Sequence, residues 1–325
     1  MPAILTHYAF ALDMLPYCSS SFKKAIFIGT QGPDPFFFYG QLPWKRRSKD
    51  RLEVNRFGSF LHHTDIAPIY SAMMKIASNS EDKDLYFAYI EGLLLHYCLD
   101  RECHAYIFPA SGFSNDPLVN KRYGVLHTYF ETMIDSLISN SKGIYTVRPQ
   151  KYLSISREAL RKISLLWYKT NLETLNDPSI HEDTFYLSLK DYRSVLRLTN
   201  TPHYFSKAFI RLVAGKESLP SAMNIPKSIP SNLSSIDFLN KNHSAWPDMV
   251  NGKKHTESFF DLEELAKRDF LEVHHLIECA KNGGDVEKEL SFFVGSICHD
   301  GCNPSLQRRF AKPRWPLSIL PKEEH

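Results

Sequence analysis

Apolar residues recur along most of the chain at intervals of three and four positions, which is the period of an amphipathic α-helix. No segment shows the convincing alternation of apolar and polar residues that a half-buried strand requires. The pattern therefore predicts an all-α protein. Its helices are expected near residues 5–15, 56–79, 83–103, 119–140, 155–175, 190–214, 258–281 and 285–299.

The segment 82–103 is apolar on nearly all sides, which predicts a central, buried helix. Loops are expected at Gly-Pro-Asp-Pro 32–35, at 109–116 and in the Ser/Pro/Asn-rich stretch 216–235. The domain organisation that follows is a helical domain over 1–215, a loop or linker over 216–257, and C-terminal helices over 258–325 packed on the same domain.

Composition limits the class of protein. The chain has 325 residues, of which 43% are hydrophobic, and its net charge of +3 does not favour a stable nucleic-acid partner. It contains no uncharged apolar stretch of transmembrane length, and its first residues lack the basic region of a signal peptide. The six cysteines form no Cys-x-x-Cys pair and are expected to be reduced thiols, so a cytoplasmic location is predicted.

Two pairs of residues stand out from this helical background: His96 with Asp100, and His127 with Glu131. A spacing of four places both side chains of a pair on one helical face. Both pairs lie in apolar surroundings, where a carboxylate is costly unless a cation or a strong donor meets it. A metal ion would satisfy both groups of both pairs.

The spacing alone does not decide the matter. A third pair, His274 with Glu278, has the same spacing in an amphipathic helix and is expected on its solvated side. A buried hydrogen bond between His96 and Asp100 is the simpler alternative to metal ligation. Both alternatives stay open on this helix alone.

Other residues offer the same ligand chemistry. His104 follows Asp100 by four residues and continues its stripe if the helix continues. Imidazole and carboxylate are the groups that Zn²⁺ accepts when thiolates are absent. Further candidates are His7, Asp34, His62 and His63.

Six short motifs carry these residues in a fixed order. They are Thr6-His7, Gly32-Pro33-Asp34, Leu61-His62-His63-Thr64-Asp65, His96-Tyr97-Cys98-Leu99-Asp100, His104-Ala105-Tyr106, and His127 through Glu131. In this order the chain resembles the zinc-dependent phospholipase C family, which shares its all-helical fold with fungal single-strand-specific nucleases. The resemblance covers roughly residues 1–140. The C-terminal half matches loosely, through Asn242-His243 to Trp246-Pro247 and the helix near Ser258.

The resemblance implies a multi-helix bundle around up to three Zn²⁺ ions. The first zinc would take Asp34, His62, His96 and Asp100; the second would take His104, His127 and Glu131; the third would take His7, a second oxygen of Asp100 and the chain's amino terminus. His62 is preferred to His63 because the family's ligand stands three residues before an acid, here Asp65.

Two positions depart from the family's pattern. The secreted members expose a tryptophan whose amine and carbonyl bind zinc, whereas this chain begins Met1-Pro2. Removal of Met1 would leave Pro2 five residues before His7, which is the spacing of the nucleases. The other departure is Ala105, where a proline follows the ligand histidine in the family, and it affects loop rigidity more than ligation.

The resemblance also implies a reaction, which is hydrolysis of a phosphoester by a water that zinc activates. Asp34 is the expected group to orient or deprotonate that water. The expected substrate is a phospholipid or a small phosphoester, with transient contact to a membrane surface. Two alternatives stay open: a nuclease or other phosphoesterase on the same site, and a non-catalytic metal-binding protein.

Two runs beside Asp34 bear on the substrate. The aromatic residues 36–39 and Trp44 could form a rim beside the metals or could fill the core. The basic run Lys45, Arg46, Arg47, Lys49 and Arg51 could attract anionic head groups or form a solvated loop.

Overall fold

The computed structural model describes residues 4–42, 50–112, 117–200, 223–306 and 308, with the side chains of 117–123 left aside. The predicted all-α class is confirmed, because helices form most of the described chain and its two strands have two residues each. The α-helices are α1 Ile4–Met14, α2 Lys23–Gly29, α3 Arg51–His62, α4 Ala67–Ser78, α5 Lys83–Ser111, α6 Pro117–Ser141, α7 Arg157–Glu173, α8 Thr184–Thr199, α9 Phe259–Val273, α10 His275–Lys281 and α11 Glu287–Val294. Short 3-10 helices span Leu15–Tyr17, Asp34–Phe38, Pro149–Lys151 and Ser231–Leu233, and the strands β1 Trp246–Pro247 and β2 Lys254–His255 pair antiparallel.

Helix α5 is the centre of the molecule, as its continuous apolar sequence predicts. Nearly every side chain from Leu85 to Leu99 is buried. The helix continues beyond the predicted end at 103 and passes through Pro109. A proline in the last turn removes one hydrogen bond and leaves the preceding turns intact, so α5 ends only at Ser111. This extra length keeps His104 on the same helix as His96.

The short helix α2, which the hydrophobic pattern did not predict, crosses α5 at two glycines. A Cβ atom on Gly29 would lie 2.8 Å from the Cα atom of Gly92 and would overlap the carbonyl oxygen of Tyr89. A Cβ atom on Gly92 would in turn overlap the carbonyl oxygen of Ile26. The two backbones therefore touch directly, and the turn that follows α2 is held against α5.

The helix predicted over 56–79 is two helices in the structure. Helix α3 ends at His62 and α4 begins at Ala67. The Asp65 carboxylate accepts a hydrogen bond from the Ala67 amide, and Pro68 occupies the first turn, where a missing N–H costs nothing. The break ends α3 at His62, whose Nε2 atom lies 3.0 Å from Oδ1 of Asp34.

The predicted C-terminal helix 258–281 is likewise divided, into α9 and α10 at His274. A capping box between Ser258 and Asp261 starts α9, and α11 ends before Gly295 rather than at 299. For α8, the start at Thr184 precedes the predicted 190, and the predicted residues 201–214 lie outside the described residues.

The C-terminal helices share the core of the N-terminal ones. Helix α9 packs against α5, and α10 and α11 pack against α4. The described part of the predicted linker, from 223 onward, is also anchored: the Tyr106 hydroxyl donates to the carbonyl oxygen of Phe238, and Trp246 is buried. In the part of the chain that the structure describes, no helix is both long and apolar enough to cross a membrane.

Candidate metal centre

Five elements deliver the eight predicted ligands to one place. These ligands are His7 on α1, Asp34 at the start of the 3-10 helix after α2, His62 at the end of α3, His96, Asp100 and His104 on α5, and His127 and Glu131 on α6. Seven are buried, and the side chain of His127 is 12% exposed. They form three groups whose ligand atoms lie within 4.8 Å of one another: Asp34 with His62 and His96, His7 with His96 and Asp100, and His104 with His127 and Glu131. Each group could hold a metal ion.

In the first group His62 turns one ring nitrogen to its own helix and the other to Asp34. Its Nδ1 atom lies 2.7 Å from the carbonyl oxygen of Gly58, and its Nε2 atom lies 3.0 Å from Oδ1 of Asp34. His63 points elsewhere: its Nε2 atom lies 3.0 Å from the Asp300 carboxylate. The preference for His62 over His63 therefore agrees with the geometry.

His96 and His104 repeat this arrangement. The Nδ1 atom of His96 lies 3.1 Å from the carbonyl oxygen of Thr30, and that of His104 lies 3.1 Å and 3.2 Å from the carbonyl oxygens of Asp100 and His299. A carbonyl oxygen can only accept, so in each ring Nδ1 carries the hydrogen. A neutral imidazole then presents the lone pair of Nε2, which is the orientation of a metal ligand held by a backbone partner.

The carboxylates face those lone pairs. The Nε2 atom of His96 lies 3.1 Å from Oδ2 of Asp100, and that of His104 lies 3.2 Å from Oε1 of Glu131. His96 Nε2, Asp100 Oδ2 and the second oxygen of Glu131 are fully buried without a hydrogen-bond partner among the described residues. Buried polar atoms are seldom left so. A cation held in each group would satisfy these atoms.

Asp100 has the geometry of a bridging ligand. Its Oδ2 atom faces His96, and its Oδ1 atom lies 3.2 Å from Nε2 of His7. The rings of His7 and His96 stack with their centroids 4.5 Å apart. The two oxygens of one carboxylate thus face two different histidines of the same group, and His96 is the residue that this group shares with the Asp34 group.

The electrostatics of the centre favour added positive charge. Burial alone would raise the pKa values of Asp100 and Glu131. The His96 and His104 rings beside Asp100 hold its pKa well below the ordinary value, and the His127 and His104 rings lower that of Glu131 to about 2. Burial lowers the pKa of His104, but Asp100 and Glu131 more than offset it and raise that pKa to about 9. Protons and metal ions both neutralise the carboxylates, so they compete for such a site.

The donors are imidazole nitrogens and carboxylate oxygens. Cys98 and Cys103 on α5 are buried, and burial raises the pKa values of both thiols well above the ordinary value, so they remain protonated. The cysteines of the described chain form no disulfide, as predicted. Imidazole nitrogens and carboxylate oxygens are ligands that several divalent metal ions accept.

The aromatic run after Asp34 is divided between core and site. Phe36 and Phe38 are buried, and Phe36 packs edge-on against Phe57 and Trp167. Phe37 is only partly buried and lies 5.1 Å, centroid to centroid, from the ring of His62. Trp44, Lys45, Arg46, Arg47 and Lys49 lie outside the described residues, while Arg51 donates to the side chain of Gln41.

A C-terminal segment that was not among the predicted site residues packs against the centre. His299 is buried with its ring centroid 5.3 Å from those of both His62 and His96. The next residue, Asp300, forms ion pairs with His63 and Arg308. The only local hint is the glycine in Cys-His-Asp-Gly-Cys 298–302, which suggests a turn.

Asp135 is a second residue that sequence reasoning missed. It lies one turn after Glu131 on α6 and accepts hydrogen bonds from the Leu5 amide and from both the amide and the hydroxyl of Thr6, at 3.1, 2.8 and 2.7 Å. It thereby caps the start of α1 and fixes the position of His7. Burial raises the pKa of Asp135 to about 7 although these donors act in the opposite direction.

The His274/Glu278 prediction was wrong in one respect. His274 is not on a solvated face: its Nε2 atom lies 3.0 Å from the carboxylate of Glu91, which is fully buried on α5. His274 stands at a helix boundary, and the acidic residue four positions later, Glu278, does not determine the direction of its side chain.

Comparison of the chain with protein-family models, with curated proteins and with solved structures finds no match. The resemblance to the zinc-dependent phospholipase C family therefore stays a prediction that depends on the motifs and on the geometry of the centre.

Proposed function

We propose that this protein is a zinc-dependent phosphoester hydrolase of the phospholipase C type. The observation that carries the proposal is the convergence of eight ligands, from five elements, into three groups with ring nitrogens turned toward carboxylates. A simple buried hydrogen bond between one histidine and one aspartate would not explain why five histidines and three carboxylates lie together. Nor would it leave buried nitrogen and oxygen atoms without partners.

The assignment of ligands to three zinc sites takes its residues from these groups, keeps His96 with Asp34 and His62, and adds Asp100 to them. Asp34, His62, His96 and Asp100 would hold the first zinc; His104, His127 and Glu131 the second; and His7 with the other oxygen of Asp100 the third. When bound, closely spaced zinc ions supply Lewis acidity and lower the pKa of water enough to make it a nucleophile at neutral pH.

The chain's own residues prepare this chemistry. Backbone carbonyl oxygens fix the hydrogens of His62, His96 and His104 on Nδ1, so no rotation is needed to present Nε2. Asp34 begins the 3-10 helix at the base of the centre and is fully buried, which suits a group that orients a water or accepts its proton. The surrounding core excludes bulk water and strengthens these interactions.

The proposed substrate class is a phosphodiester that carries an apolar group. The partly buried ring of Phe37, next to His62, could contact an acyl chain. Single-stranded nucleic acid is the competing substrate, since a base could stack on the same ring.

The test combines metal analysis with a substrate panel. Purified protein is expected to contain up to three zinc ions per chain and to hydrolyse phosphatidylcholine vesicles faster than single-stranded DNA. Asp100→Asn is expected to lose zinc from two sites and to abolish turnover. The matched control is His63→Asn, beside a ligand but outside the three groups, which should keep its zinc.

Three other outcomes would contradict part or all of the proposal. Faster cleavage of single-stranded DNA would replace the phospholipase assignment with that of a nuclease. Full zinc content without cleavage of any phosphodiester would leave a metal-binding protein and contradict the enzyme. Absence of stoichiometric metal, or full zinc and activity in Asp100→Asn, would refute the proposal entirely.

A further inference from the structure

A groove of about 870 Å³ lies between α8 and the 3-10 helix Pro149–Lys151. Its described lining contains no carboxylate. Five of its ten lining residues are cationic: Arg148, Lys151, Lys190, Arg193 and Arg197. The other lining side chains are largely hydrogen-bonding ones, including Gln150 and Asn200.

Helix α8 supplies three of the five cations from one face. Lys190, Arg193 and Arg197 are spaced by three and four residues and therefore lie along one stripe. The opposite stripe is buried and includes Ser188 and Val195. The Pro149–Lys151 turn brings the other two cations to the facing wall, so positive charge lines both sides of the groove.

Among the described residues these charges meet no acidic partner, although Nζ of Lys190 lies 5.2 Å from the ring centroid of Tyr186. Within the described ranges, none of the five side chains forms an ion pair with an acidic residue. The Nε atom of Arg193 and the Oε1 atom of Gln150 are buried without hydrogen-bond partners there. Like charges gathered in a concave site raise the local potential and favour an anionic ligand.

The groove is distinct from the metal centre. On the buried side of α8, Asp191 accepts a hydrogen bond from the Gly40 amide and the ring of Tyr192 stacks on Phe38. The segment that carries Asp34 therefore lies against one side of α8, and the groove lies on the other.

We propose that this groove binds a compact ligand with clustered phosphate groups, of the inositol polyphosphate class. Guanidinium groups match phosphate oxygens in pairs, and the lysines add point charges. The volume lies within the range of pockets for small ligands. The same chemistry is offered by a free polyphosphate and by the headgroup of a polyphosphoinositide in a membrane.

The first experiment is calorimetric titration of the full chain with inositol hexakisphosphate. Binding is expected, weaker at higher salt, and the variant Lys190→Gln/Arg197→Gln is expected to bind at least about tenfold more weakly. Both positions are exposed, so folding should not change. Arg193→Gln tests the half-buried guanidinium and should also weaken binding.

The control is Arg268→Gln/Lys288→Gln, which removes two exposed charges from α9 and α11. It should keep the affinity of the native protein within about twofold. An equal loss in this control would mean that net charge alone attracts the probe, and the proposal would fall.

Vesicle sedimentation distinguishes the two sources of phosphate. Binding to phosphatidylcholine vesicles only when they contain a polyphosphoinositide, reversed by inositol hexakisphosphate, would identify a lipid headgroup. Binding of inositol hexakisphosphate without binding to such vesicles would identify a free ligand. Binding in neither arm, or tighter binding of single-stranded nucleic acid that the groove variant abolishes, would overturn the assignment. Zinc content should be unchanged in every groove variant, so failure here is separable from failure at the metal centre.

Discussion

The Nδ1 atom of His104 lies 3.2 Å from the carbonyl oxygen of His299, a residue 195 positions later in the chain. A proposed zinc ligand on the central helix is therefore oriented by a backbone group of the C-terminal segment. Partners of this kind fix the ring angle of a ligand and commonly change metal affinity by one or two orders of magnitude. The C-terminal half should thus influence a centre whose ligands all lie in the N-terminal half.

Gly301→Ala is expected to weaken metal binding at the His104 group by about tenfold or more. Gly301 has φ +72°, and a Cβ atom there would overlap the carbonyl oxygen of Arg101 on α5. The loop must move, and the His299 carbonyl moves with it. Competition with a chelator would measure the loss.

Gly283→Ala is the matched control for this experiment. Gly283 also has a positive φ, +81°, but a Cβ atom there would meet nothing within 4 Å. It should destabilise the fold through backbone strain without changing metal affinity. If both variants lost metal equally, the link between His299 and His104 would be refuted.

The adjacent residues His62 and His63 allow a direct test of which histidine is the metal ligand. His62→Asn should remove zinc from the Asp34 group, because Nε2 of His62 contacts Asp34 directly. His63→Asn should keep all metal, because its ring faces Asp300. Zinc analysis of the two variants decides the matter, and the opposite result would reassign the ligand to His63.

The His63–Asp300 pair should make stability depend on pH. The hydrogen bond to Asp300 raises the pKa of His63 above 6.5 in the folded protein. A raised histidine pKa stabilises the fold fully below about pH 6.5, and this contribution is lost as pH rises through the folded pKa. The pKa of Asp300 is held below its ordinary value, so this carboxylate contributes to the stability of the fold above about pH 4.

The Tm difference between native protein and His63→Gln should therefore be largest near pH 5–6 and should shrink toward pH 9. The pair is partly exposed, so the effect will be modest. His275→Gln is the control, because the His275–Glu289 pair is about two-thirds exposed and its Tm difference should be near zero throughout. A difference for His63→Gln that does not shrink with pH would exclude the pair as its source.

Asp135→Asn should destabilise the protein by about 1–3 kcal/mol, because the new amide would face the buried Leu5 amide, donor against donor. Urea denaturation would measure the loss. Thr6→Val removes only the hydroxyl donor and should cost less, about 1 kcal/mol. An unchanged free energy of unfolding in Asp135→Asn would show that this cap is not needed to hold α1.

The clustering of the candidate ligands on α5 could be predicted because helical spacing is local information. His96, Asp100 and His104 lie on one stripe whatever the rest of the chain does, and their polarity within an apolar segment marks them. The residues that orient them could not be found in this way. Asp135 contacts Thr6 across about 130 positions, and His299 approaches His104 across a larger gap.

The predictions of some helix boundaries were wrong for related reasons. At the break between α3 and α4 the Asp65 side chain accepts from the Ala67 amide, and such a local hydrogen bond is not visible in the hydrophobic period. His274 illustrates the same limit, since its partner Glu91 comes from another helix altogether.

The crossing of α2 and α5 at Gly29 and Gly92 has a consequence for how the centre can vary. No side chain stands between the two backbones, so their separation cannot be adjusted in small steps by exchanging one residue for a slightly larger one. Even a methyl group must push the helices apart, and with them Asp34 and His96. Any adaptation to a different ion would therefore fall to the turn after α2 and to the C-terminal segment around His299, while the distance between the two helices stays constant.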